Sequence, residues 1–142
     1  MYLWIINLSF FLMGILPQST TQLELHVTNS DSDQGLIRIL VFDHPEGFPD
    51  NPKKAKLALS LPIENLKTET LISSLPPGKY AICAFHDEDE NGKINKNLVG
   101  YPTESFGFST NPKVVFSIPS FEKCLIEVEE GIKNKVTIEL KK

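Results

Sequence analysis

Lys79-Tyr80-Ala81-Ile82-Cys83-Ala84-Phe85-His86 runs straight into Asp87-Glu88-Asp89-Glu90-Asn91-Gly92-Lys93-Ile94-Asn95. The first eight residues are apolar on both faces, as a central strand of a sheet should be. Pro76-Pro77-Gly78 in front of them is a tight turn. The acidic run behind them turns on one glycine. The stretch therefore reads as strand, then oxygen-rich loop, and the rest of the chain is read outward from it.

The loop has the spacing of a calcium site. Calcium takes six to eight hard oxygens at about 2.3–2.6 Å. Asp87, Asp89 and Asn91 fall at positions one, three and five, and Gly92 falls at six, where a sharp bend favours a residue without Cβ. Lys93 at seven offers its backbone carbonyl, Ile94 at eight an apolar anchor, and Asn95 at nine a direct or water-mediated oxygen. Position twelve should carry a bidentate Glu, but Leu98 stands there. The flanks are also wrong for a helix–loop–helix hand. An ion would need a carboxylate from elsewhere. Glu104, in the same long loop, is preferred to Asp43 and Glu46. The alternative is a polar turn between strands, which Asp, Asn and Gly also favour.

Outward from this stretch the chain alternates. Leu23, Leu25 and Val27 interleave with Glu24, His26 and Thr28, giving a half-buried strand. Leu36 to Phe42 is a second strand, apolar on both faces except at Arg38. A proline-rich loop follows, with one helical turn expected from Asp50 through Ala55. Leu57 to Leu61 and Thr68 to Ser74 are the third and fourth strands, and Lys79 to His86 the fifth. A long connection then runs from Asp87 to about Pro112, pinned by Tyr101, Phe106 and Phe108. Val114 to Ile118 is the expected sixth strand, Cys124 to Val128 the seventh, and Val136 to Leu140 the eighth. Seven or eight short strands with almost no helix predict an all-β, antiparallel β-sandwich with one long ordered loop.

The chain has 142 residues, and its first charged side chain is Glu24. Leu3 to Leu16 is almost wholly apolar but too short to span a bilayer comfortably, which takes about twenty residues. It suits the apolar region of a signal peptide, and the lack of an N-terminal Lys or Arg leaves an uncleaved anchor as the alternative. Residues 1–21 are read as a signal peptide cleaved between Pro17 and Gln22, and 22–142 as one sandwich domain. The expected location is outside the cytoplasm: periplasmic, cell-surface or secreted. Eighteen acids against fourteen bases argue against a nucleic-acid partner. A protein or glycan partner is expected, and no membrane partner after cleavage. Cys83 and Cys124 both sit on apolar strand faces, so buried thiols are favoured over a bridge.

Leu75-Pro76-Pro77-Gly78-Lys79-Tyr80-Ala81, His86-Asp87 with Asn91-Gly92-Lys93, Gly100-Tyr101-Pro102-Thr103-Glu104, Gly107-Phe108-Ser109 and Pro119-Ser120-Phe121-Glu122 together resemble a family of exported bacterial proteins. It is catalogued as a domain of unknown function, number 2141 in that series. The resemblance runs from about Leu23 to Leu140 and implies export and a β-sandwich, with no activity attached. The Leu-Pro-Pro-Gly-Lys-Tyr turn also looks like that of transthyretin-like and carboxypeptidase-regulatory-like sandwiches; this implies an Ig-like or transthyretin-like fold class and bears on fold alone.

Two functional classes follow. One is a non-catalytic binding or structural module whose loop, Asp87, Asp89, Asn91, Lys93 and Asn95 with Glu104, is ordered by calcium. The other is a metal-dependent enzyme using His44, His86, Asp43 and Asp87. Strand alternation places the two His-Asp pairs at opposite ends of the sandwich, and no HExxH or G-x-S-x-G motif is present.

Overall fold

The computed structural model describes residues 21–114 and 117–142. Eight strands follow in order: β1 (Gln22–Thr28), β2 (Leu36–Phe42), β3 (Leu57–Leu61), β4 (Lys67–Ile72), β5 (Gly78–Asp87), β6 (Phe106–Phe108), β7 (Leu125–Val128) and β8 (Lys133–Glu139). One 3-10 turn, Phe121–Cys124, precedes β7. No helix among the described residues is long and apolar enough to cross a membrane. The signal segment expected at 1–21 lies, but for Thr21, outside the described residues.

The strands form two sheets. One has the order β4-β1-β8, and the other β3-β2-β5-β6, with β7 also pairing β5. β5 is the longest strand because it holds three neighbours. β2 lines one side (Leu36↔Asp87 to Phe42↔Ala81), while β7 and β6 share the other, at Gly78–Ala81 and Cys83–Phe85. Pairing is antiparallel except between β1 and β8, which run parallel. Almost the whole chain separates those two strands, so no tight turn forces them antiparallel.

Strand parity decides the packing. Leu23, Leu25 and Val27 of β1 meet Ile37, Ile39 and Val41 of β2 and Tyr80, Ile82 and Ala84 of β5 between the sheets. Burying each large aliphatic side chain stabilises the fold by about 1.5–3 kcal/mol. The opposite parity of β2 and β5 faces outward. Half of that outer face is covered by a second cluster, in which Phe48 and Phe121 pack with Phe42, Ala81, Cys83, Phe108 and Cys124. Phe48 stands edge-on to Phe42 at 5.5 Å and to Phe121 at 5.8 Å. β5 is thus apolar on both faces because each face meets its own cluster. Both cysteines are buried and unbridged.

Three expectations are corrected. The sixth strand is Phe106–Phe108, within the expected long connection. Val114, Ser117 and Ile118 are not in a strand, and Val115 and Phe116 lie outside the described residues. Three residues are too few to show alternation, and the pairing of β6 depends on its docking against β5. The expected helical turn at Asp50–Ala55 is a series of turns, in which the Asn51 side chain accepts the Lys53 N–H at 3.1 Å and competes with helix formation. The eighth strand joins in parallel, although the sandwich is otherwise antiparallel.

The two sheets touch along one side. Phe106 and Lys141 exchange backbone hydrogen bonds at 3.0 and 2.9 Å. Beside them the Asn111 side chain donates to the Thr137 carbonyl and accepts from the Glu139 N–H, both at 2.8 Å. On the other side β3 and β4 end their sheets.

Candidate metal centre

Asp87 is the last residue of β5 and is fully buried. The loop winds around its carboxylate. Oδ1 accepts the Asn91 N–H at 3.0 Å, and Oδ2 accepts the Gly92 N–H at 2.9 Å. Gly92 has φ +79°, the left-handed bend expected at position six. On its inner side Oδ2 also takes the Arg38 Nε–H at 2.6 Å. Arg38 reaches it diagonally across the ladder, since Arg38 is paired with Phe85. The Arg38 Nη1 donates onward to Ser60 at 2.6 Å.

Glu104 arrives by a fold-back that its sequence position does not announce. Thr103 N–H donates to Asn95 O, and Asn97 N–H to Tyr101 O, both at 2.8 Å, while Gly100 N–H closes the tip onto Asn97 O at 2.9 Å. Residues 95–103 therefore form a short hairpin. Its return places Glu104 beside the start of the acidic loop. Glu104 is buried and accepts three N–H bonds: Glu88 backbone at 3.2 Å, Asn95 backbone at 2.7 Å and Asn95 Nδ2 at 3.3 Å. Leu98, at position twelve, points into solvent with 107 % relative exposure.

Carboxylate oxygens of Asp87, Asp89 and Glu104 lie within 4.8 Å of one another. The two amides sit among them. Asn91 Nδ2 donates to Asp89 Oδ2 and to Asn95 Oδ1, both at 2.8 Å, and Asn95 Nδ2 donates to Asp89 Oδ2 at 3.1 Å. Hydrogen bonding from Asn95 is the largest influence holding the Asp89 carboxyl below its usual range; bonds from Asn91 add to it. A half-turn of each amide would present its oxygen where its nitrogen now stands. Lys93 enters through its backbone, its N–H donating to Asn91 Oδ1 at 2.8 Å. The hairpin is pinned to the body through Tyr101, whose ring is edge-on to Phe106 at 6.5 Å.

The other candidates lie elsewhere. Asp43 pairs with His44 at 2.7 Å and Lys56 at 3.4 Å, and Glu46 with Lys54 at 2.7 Å. These residues leave the end of β2 that is paired with Ala81, whereas Asp87 closes the opposite end. His44, Asp43, His86 and Asp87 are therefore not one cluster. His86 is 1 % exposed, and both its nitrogens are engaged. Nδ1 accepts the Asp31 N–H at 3.2 Å, which assigns the proton to Nε2, donated to Gln34 O at 2.7 Å.

Sequence reasoning missed two contributors. Arg38 is visible as the lone charge in an apolar strand, but its partner is 49 residues away. Gly35 lets the β1–β2 loop touch the site: a Cβ there would sit 2.2 Å from the Asp87 carbonyl oxygen. Nothing in the local sequence marks that approach.

A family model described as an uncharacterized protein conserved in bacteria (DUF2141) matches residues 25–137. No curated protein and no solved structure gives a match.

Proposed function

Because the chain belongs to the DUF2141 family, whose description names no activity, we propose from its geometry that it is an exported, non-catalytic binding or structural module with a calcium-ordered loop at Asp87–Asn95. One observation carries this reading: the hairpin at 95–103 returns the Glu104 carboxylate to within 4.8 Å of Asp87 and Asp89. Three carboxylates so close repel one another, and a divalent cation relieves this. Asp87, Asp89, Asn91, Asn95 and Glu104 supply side-chain oxygens, and Lys93 supplies a carbonyl. All are hard donors, which favour calcium over zinc. Affinity should be of the order of 10⁻⁴–10⁻³ M, as in extracellular modules, because the loop lacks the Glu at position twelve. Export brings the protein to calcium at such levels.

The deciding experiment is a thermal melt with millimolar calcium, with magnesium, and with chelator, alongside elemental analysis of the purified protein. Calcium binding to the native state raises the melting temperature by mass action. Identical melts and identical protease sensitivity of the loop in all three conditions would reduce the segment to a polar turn. The enzyme reading draws no support from the geometry, since its four residues stand at two ends of the β2–β5 ladder.

A further inference from the structure

The outer face of the larger sheet is only half covered. Across β3, β2 and β5 the register aligns Ser60, Arg38 and Phe85 in one row, and Ala58, Leu40 and Cys83 in the next. The aromatic cluster around Phe48 closes over Phe42, Ala81 and Cys83. Beyond it a groove of about 680 Å³ opens over Leu40, Ala58 and Phe85. Its walls are the turn at 50–53 and the loop segment 92–96, which supplies Ile94. Lys96 and Asp50 reach across at 3.4 Å and tie the two walls together.

Charge in this groove runs against the rest of the molecule. The chain carries a formal charge of −4, yet Arg38, Lys53, Lys93 and Lys96 line the groove with Asp50 as the one acid. Asp50 is taken by Lys96, and Arg38 is held by Asp87. Lys53 and Lys93, one on each wall, have no ion-pair partner among the described residues. An apolar floor beneath unpaired cations fits a molecule with an apolar body and one anionic head. The volume falls within the about 300–1,000 Å³ typical of small-molecule sites.

We propose that this groove binds a free, monoanionic amphiphile of the fatty-acid type, its body over Leu40, Ala58 and Phe85 and its head between Lys53 and Lys93. The site goes beyond the ion-ordered loop but shares its 92–96 wall with it. The probe titration is therefore run in millimolar calcium and again in chelator: binding in either supports the groove whether or not the calcium reading holds, and absence in both overturns it.

The probe is anilinonaphthalene sulfonate, an apolar body with a sulfonate, titrated into the folded protein well below its melting temperature. Saturable one-to-one binding is expected, displaced by dodecanoate below its micellar concentration and not by dodecylamine. Lys53→Glu with Lys93→Glu should weaken it at least about tenfold, since two exposed attractions become repulsions. Ala58→Glu, at an exposed edge-strand position, should weaken it too by placing a carboxylate on the floor. Lys79→Glu with Lys123→Glu, an equal charge change away from the groove, should leave it unchanged. Absence of saturable binding overturns the proposal, as does equal affinity in the Lys53/Lys93 and Lys79/Lys123 variants. Binding to phosphatidylglycerol vesicles without displacement by dodecanoate also overturns it, because the groove would then serve a lipid surface.

Discussion

The Arg38 guanidinium meets the Asp87 carboxylate at 2.6 Å across the β2–β5 ladder, with Asp87 fully buried and Arg38 23 % exposed. This pair sits between the acidic loop and the groove, and its guanidinium is a positive charge already in contact with the cluster. Arg38→Ala should lower stability by about 3 kcal/mol, near the lower end for breaking a buried pair, because the Asn91 and Gly92 N–H groups still hold Asp87. The same substitution should tighten calcium binding, since it removes a competing cation. Chemical denaturation and a calcium titration of the variant check the two opposite signs.

Substitutions within the loop should separate ligand from scaffold. Asp89→Ala is expected to abolish the calcium-dependent rise in melting temperature, and Glu104→Ala to weaken it. His86→Ala should lower the melt in both conditions, because it removes a side chain that is 1 % exposed together with its bonds to the Asp31 N–H and the Gln34 carbonyl, at about 0.5–1.5 kcal/mol per bond. Its calcium increment should survive. Melts of the three variants with calcium and with chelator test this. A calcium increment lost only in His86→Ala would assign the ion to the imidazole instead.

Acid should destabilise the fold in a defined window. Glu24 is held down to about 2, from an ordinary 4.5, first by the hydrogen bond from Lys133 and next by that from His26. A depressed carboxyl contributes stability that is present above its unfolded value and is lost as pH falls through the folded one. Melting temperature should therefore fall between about pH 4.5 and 2 on this account. Glu24→Gln should flatten part of that slope, as read by melts across the range. An unchanged acid limb in the variant would remove Glu24 from the explanation.

The thiols should be silent in the folded protein. Burial raises both, Cys124 to about 11, so neither forms appreciable thiolate near neutral pH. Two equivalents of a thiol reagent should react after denaturation and none before it. Rapid labelling of the native protein would contradict the packing of the outer cluster.

Gly35→Ala should be among the most damaging small substitutions. Its φ of +74° strains any side chain, by about 1–3 kcal/mol, and the new Cβ collides with the backbone of Asp87 and Glu88. A lower melt with a weakened calcium increment is expected, because Asp87 would have to move. Gly92→Ala keeps the strain but meets nothing within 4 Å. The difference between the two melts isolates the collision.

Much of this was legible before the structure. Alternation at Leu23–Thr28 and the doubly apolar run at Lys79–His86 read as strands because the two faces of each strand meet different surroundings. The acidic spacing from Asp87 is a local pattern, but the approach of Glu104 to within 4.8 Å of Asp87 and Asp89 depends on the hairpin at 95–103. What escaped was non-local. β6 is a strand through its pairing with β5, Arg38 matters through a residue in another strand, and the groove is defined by what the Phe48 cluster leaves uncovered. No short window of sequence contains those relationships.

Asn111 lends its amide to the rim of β8, donating to one strand carbonyl and accepting from one strand N–H as a neighbouring strand would. With Phe106 and Lys141 joined alongside, the end of that rim from Thr137 to Lys141 is no template for a further chain. Among the described residues, recruitment of a further strand is left to β3, β4, the outer edge of β7 and the start of β8.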